Sequence, residues 1–100
     1  MKKWEELTIY EQMANIGSEV SRMFSWQKKK KAELAQNAAE RALELVAKTR
    51  DDSKNIQYMA ELRTLQNLIS DFADEDSPQP KTNPESLKKY LLAYGLAVRA

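Results

Sequence analysis

Ile56-Gln57-Tyr58-Met59-Ala60-Glu61-Leu62-Arg63-Thr64-Leu65-Gln66-Asn67-Leu68-Ile69-Ser70-Asp71-Phe72 carries the cleanest apolar stripe of the 100-residue chain. Its members, Ile56, Met59, Leu62, Leu65, Leu68/Ile69 and Phe72, recur at steps of three and four residues, the period of one face of a helix. Asp51-Asp52-Ser53 offers a cap ahead of the stripe, so a helix is expected over 53–74. Downstream the pattern dissolves into Asp74-Glu75-Asp76-Ser77-Pro78-Gln79-Pro80-Lys81-Thr82, with two prolines and no apolar side chain, read as an acidic linker over 74–83. Asn83-Pro84-Glu85 then opens a last helix, 84–99, in the favoured order of N-cap Asn, Pro at the first helical position and acid in the first turn.

Working upstream, Thr8 and Glu11 have the capping-box spacing, in which each side chain satisfies the other's backbone amide. Ile9, Met13, Ile16, Val20 and Met23/Phe24 follow at helical steps, giving a first helix over 8–28. Gly17 interrupts it; an interior Gly costs about 1 kcal/mol against Ala, which suits either tolerance or a close helix contact. Ala35, Ala38/Ala39, Ala42, Leu45/Val46 and Thr49 form the small-residue stripe of a second helix, 31–50. Unbroken helix from 9 to 50 would be about 60 Å long, so a turn is placed at Lys28-Lys29-Lys30-Lys31, where four like charges repel. The expected core is Met13, Ile16, Val20, Phe24, Ala35, Ala39, Ala42, Val46, Met59, Leu62, Leu65, Ile69, Phe72, Leu87, Leu91 and Tyr94. The fold class follows: all-α, a single domain over 1–100 packed as an antiparallel four-helix bundle.

Composition agrees and excludes several chemistries. Two Gly and three Pro are too few for a turn-rich sheet protein. The chain has no Cys and no His, which removes zinc fingers, disulfide frameworks, thiol nucleophiles and His-based triads. No run approaches a membrane span, Met1-Lys2-Lys3-Trp4-Glu5-Glu6 does not turn apolar as a signal peptide does, and a cytoplasmic protein is expected. The formal charge of +1 is a cancellation. Residues 1–31 carry seven basic and four acidic side chains, 32–50 three of each, 51–77 two and seven, and 78–100 four and one.

The last helix supplies the clearest functional hint. Leu87, Tyr90, Leu91, Tyr94 and Val98 make one face, yet Leu92 and Leu96 point elsewhere and nothing from Tyr90 to Val98 is charged. A helix apolar most of the way round wants burial on more than one side. The expectation is a non-catalytic interaction module that self-associates or binds a protein partner through Tyr90, Leu92, Gly95 and Leu96. A weaker candidate is the Lys28, Lys29, Lys30, Lys31 run beside Trp26, as an anion or nucleic-acid patch, though four lysines in a turn are more often simply solvated. Tyr90 and Tyr94 with Trp4 and Trp26 are a candidate aromatic cradle or, more simply, core-edge residues. Asp71, Asp74, Glu75 and Asp76 miss the EF-hand pattern, with Pro78 and Gln79 where ligand and glycine belong. Glu5/Glu6 and Glu40/Glu44 are carboxylate pairs of the kind found on any charged helix. No catalytic residue, cofactor or metal is assigned.

Three resemblances accompany these words. Ala35-x-x-x-Ala39-x-x-Ala42-Leu43 resembles the second helix of a tetratricopeptide hairpin, present in a single copy where a solenoid needs about three. Asn15-Ile16-Gly17-Ser18-Glu19-Val20 with Arg41-Ala42-Leu43-Glu44-Leu45 resembles a family of small, uncharacterised bacterial all-α proteins, which implies a fold and no activity. Size and helix count are similar to HEPN-type bundles, which implies as alternative a nucleic-acid- or nucleotidyltransferase-associated role. Their ribonuclease motif needs a His shortly after an Arg; this chain has no His, and Arg99 is penultimate, so only binding would remain.

Overall fold

The computed structural model describes residues 3–75 and 84–99, with side chains through residue 93 of the last helix. It contains four α-helices, α1 (Ile9–Lys28), α2 (Ala32–Asp51), α3 (Met59–Ala73) and α4 (Pro84–Arg99), with 3-10 segments at Trp4–Glu6 and Ser53–Tyr58. The capping box at the start of α1 is formed: the Glu11 amide donates to Thr8 Oγ1 at 3.1 Å, and the Thr8 amide to Glu11 Oε1 at 3.0 Å. The lysine turn falls where repulsion placed it. Lys30 takes a left-handed conformation (φ 60°), and the Lys31 and Lys30 amides donate back to the Trp26 and Gln27 carbonyls at 2.9 and 3.0 Å. These are the two bonds of a Schellman ending, built without its usual glycine.

The helices pack antiparallel, α1 on α2, α2 on α3 and α1 on α4. Gln36 and Arg50, at opposite ends of α2, reach the Ala73 carbonyl and Gln66 of α3 respectively, at 2.9 and 2.5 Å. Gly17 of α1 faces Leu91 of α4, while the Phe24 ring further along α1 lies under the Lys88 ammonium at 5.3 Å. One core runs through all four helices, from Met13, Ile16 and Val20 to Leu62, Ile69, Leu87 and Leu91. Phe24 and Phe72 meet edge to face, 5.2 Å between centroids. Gln27 and Gln36, from α1 and α2, both donate to carbonyls in the last turn of α3, at Phe72 and Ala73. Side chains from two other helices thereby cap a helix end, where intrahelical donors run out.

The expected helix over 53–74 is corrected at its start. Residues 53–58 form a 3-10 segment capped by the Asp52 carboxylate, which accepts from the Lys54 amide. Its tighter winding of three residues per turn rotates Ile56 out of the stripe, leaving it 76% exposed. Met59, expected in the core, is only half-buried. The core stripe of α3 is Leu62, Leu65, Ile69 and Phe72. Met23 and Ala38 join the core beside their expected neighbours. The Tyr94 side chain and the rest of the 74–83 linker beyond Glu75 lie outside the described residues.

Candidate functional site

Among the described residues the fourth edge of the bundle is open. Where α3 and α4 would close the square, there is instead a groove of about 330 Å³, lined by Glu61, Thr64, Leu65 and Leu68 of α3 and by Ser86, Leu87 and Tyr90 of α4. The two walls arise in the same way. Leu65 and Leu87 are buried, with one flank on the core and the other on the groove, while Leu68 is half-buried and Tyr90 is 37% exposed one turn beyond Leu87. The opening is therefore an extension of the hydrophobic core to the surface, bordered by a phenol, two hydroxyls and a carboxylate.

The partner-binding residues expected on α4 are divided by this geometry. Tyr90 lines the groove. Leu92, two residues on and so about 200° round the helix, is 60% exposed on another side. The Gly95 and Leu96 side-chain positions lie outside the described residues, within the span of α4. Sequence reasoning missed the α3 wall, because Leu65 and Leu68 belong to the same stripe that builds the core.

A second concentration of polar side chains lies at the end of the bundle where α1 begins and α2 ends. Gln12 and Asn55 are 0% and 1% exposed. Asn55 Nδ2 donates to Gln12 Oε1 at 2.8 Å and to the Thr49 carbonyl at 3.0 Å. Gln12 Nε2 donates in turn to the Trp4 carbonyl at 3.0 Å and to Asp52 Oδ2 at 3.1 Å. Lys54 closes the set through Asp52 and the Glu5 carbonyl. Hydrogen bonding from the Lys54 ammonium holds the Asp52 carboxyl below the usual carboxylate range; partial desolvation opposes this, and the Gln12 amide and Lys54 backbone N–H reinforce it. A cleft lined by Lys3, Trp4, Glu5, Lys48, Asp51 and Asp52 opens beside the cluster. Every side chain in the cluster is committed to a neighbour from another segment, so its work is to fasten the N-terminal 3-10 turn and the α2–α3 connection to α1.

The lysine candidates are brought to the opposite end. Lys28, Lys29, Lys30 and Lys31 are all exposed, and Lys29 lies over the half-buried Trp26 ring at 5.2 Å. Gln27 and Gln36 hold the end of α3 against this same end of the bundle. Asp71, Asp74 and Glu75 therefore stand near the lysines, and the positive field that a polyanion would need is offset. Trp4 and Trp26 lie at opposite ends of α1, so no aromatic cradle joins them. Glu5, Glu6, Glu40 and Glu44 are exposed. Among the described residues no cluster suited to a metal ion occurs, and no helix is long and apolar enough to cross a membrane. No protein-family model, curated protein or solved structure matches the chain.

Proposed function

We propose that the protein is a non-catalytic helical interaction module that docks another protein surface through its α4 side, with the α3–α4 groove as the contact. The observation carrying this reading is the groove itself: a bundle with three packed edges and a fourth where Leu65, Leu68, Leu87 and Tyr90 open an apolar path to the surface. Apolar grooves between helices are receptors for the apolar face of a further helix. Leu92, by contrast, is one apolar side chain among solvated ones, and single exposed leucines are common on soluble proteins.

A photoreactive phenylalanine analogue at Tyr90, irradiated in cells that express the chain, tests the reading. A discrete adduct is expected from position 90 and not from Glu44, which is exposed on α2. The adduct should disappear when Leu68→Glu places a charge in the groove, and should survive Leu92→Glu. Equal adducts from positions 90 and 44, or none from 90, would contradict it.

A further inference from the structure

At the end of the bundle where α1 begins, we infer that the N-terminal turn Trp4–Glu6 is an acid-released strap, latched shut by the single carboxylate of Asp52. The convergence of its polar contacts carries the inference. Among the described residues two side chains of the bundle donate to the strap. Gln12 Nε2 of α1 holds the Trp4 carbonyl at 3.0 Å, and Lys54 Nζ, from the α2–α3 connection, holds the Glu5 carbonyl at 2.9 Å. Both donors also bind a carboxylate oxygen, and it is the same one, Asp52 Oδ2. Asp52 Oδ1 meanwhile accepts from the Lys54 amide. One carboxylate thus orients both fastenings.

The strap is otherwise lightly held. None of Trp4, Glu5 and Glu6 is buried, and the core cluster contains none of them. The Trp4 indole N–H is enclosed without an acceptor, a cost that water relieves when the turn lifts. Lys3 and Glu5 from the N-terminal segment and Lys48 and Asp51 from α2 line the adjoining cleft, while α1 contributes the neutral Gln12. Those charges balance, so the Lys54 ammonium, in direct contact, sets the state of Asp52. Protonation removes the charge that draws the ammonium and puts an O–H where an acceptor stood. Both fastenings weaken together, because charge-assisted bonds are the strong ones. Hydrogen bonding from Lys54 holds the latched carboxyl below the usual carboxylate range. The latch is therefore complete above that range and is lost as pH falls through the lowered value.

Trp4 itself reports the latch once the other tryptophan is replaced, so the experiment is tryptophan emission of the full chain carrying Trp26→Phe. At neutral pH the latched Trp4 should emit to the blue of a peptide comprising residues 1–8. Asp52→Asn keeps an acceptor for the Lys54 amide but loses the charge, and it should shift the emission most of the way to that of the peptide. Circular dichroism should stay unchanged, because the core is not touched. Lys54→Met, at an exposed lysine, removes the other half of the latch and should shift the emission in the same direction. On acidification the unaltered latch should open in a one-proton step below the usual carboxylate range, and the Asp52→Asn protein should show no such step.

An Asp52→Asn protein whose Trp4 emits at neutral pH as the unaltered latch does would overturn the inference. So would an acid step that persists in that variant, which would place the proton on another carboxylate. If Asp52→Asn lost its helical circular dichroism, Lys54→Met would decide alone, and a folded bundle with unshifted Trp4 emission would refute the latch. None of these outcomes bears on the α3–α4 groove, which stands or falls on the adducts from position 90.

Discussion

Replacing Asn55 with Ala is expected to lower the stability of the fold by about 3 kcal/mol, although Asn55 touches no part of the groove. Its amide bridges Gln12 Oε1 and the Thr49 carbonyl in a place that solvent does not reach. The two acceptors fare differently on truncation. The Thr49 carbonyl retains the Asp52 amide at 3.3 Å, but Gln12 Oε1 loses the Asn55 donor while remaining fully buried. An orphaned buried acceptor costs about 1–3 kcal/mol, and the small void left by the amide adds to it. For a domain of this length the loss corresponds to a fall in Tm of about 12–24 °C, measurable by thermal circular dichroism. The Gln12→Ala, Asn55→Ala double variant should lose less than the sum of the single losses, because each side chain is part of the other's cost. Strict additivity would mean that the two amides do not act as a pair.

Gly17→Leu is expected to detach α4 while leaving α1, α2 and α3 packed. A Cβ at position 17 would stand 3.2 Å from Leu91 Cβ, tighter than ordinary contact, and a leucine adds three more carbons beyond it. Among the described residues the extensive packing of α4 is against α1, with no second anchor of that size. Exposure of Leu87 and Leu91 forfeits roughly 4 kcal/mol, and the gain in helix propensity at position 17 returns less than about 1 kcal/mol. Hydrogen exchange should show protection lost across 84–93 and retained in the core positions of α2 and α3. Gly17→Ala separates close approach from mere flexibility. Its single methyl needs a shift of a few tenths of an ångström while gaining helix propensity, so its net effect should stay within about 1 kcal/mol of zero. Retained protection of α4 in the leucine variant would mean that Gly17 is not the contact on which the helix seats.

Much of this fold is legible residue by residue. Thr8 and Glu11 announce the start of α1, and Asn83-Pro84-Glu85 the start of α4, because local hydrogen bonding and backbone preference act within a few residues. The stripes of α1 and α2 map directly onto the core for the same reason. What failed to show were features set by distant partners. Ile56 continues the helical spacing of α3, yet the cluster around Asn55 buries the neighbouring amide instead and turns Ile56 to solvent. Gln12 and Asn55, 43 residues apart, carry no local signal of burial, and only the fold joins them. The turn at Lys30 bears no glycine, so only charge repulsion and helix length pointed to it.

The candidate site was legible by halves. The uncharged run after Tyr90 pointed to α4, and the sequence assigned both Tyr90 and Leu92 to partner binding although they belong to different faces. Their separation of about 200° places them on different sides, and only the packing shows which side borders an apolar groove. The opposite wall, Leu65 and Leu68, was hidden within a stripe already assigned to the core.

The central claim is the proposal that the α3–α4 groove is the face through which the protein docks another protein surface. The absence of any cysteine makes a direct measurement available. Thr64 is exposed and lines the groove, whereas Ser18 is exposed on α1, so Thr64→Cys and Ser18→Cys each carry a single thiol. The rate of maleimide modification is then compared between the purified protein and cells that express it. The thiol at position 64 should be protected in the cells while that at position 18 reacts at the same rate in both. A thiol at position 64 as reactive in the cells as in the purified protein would contradict the claim.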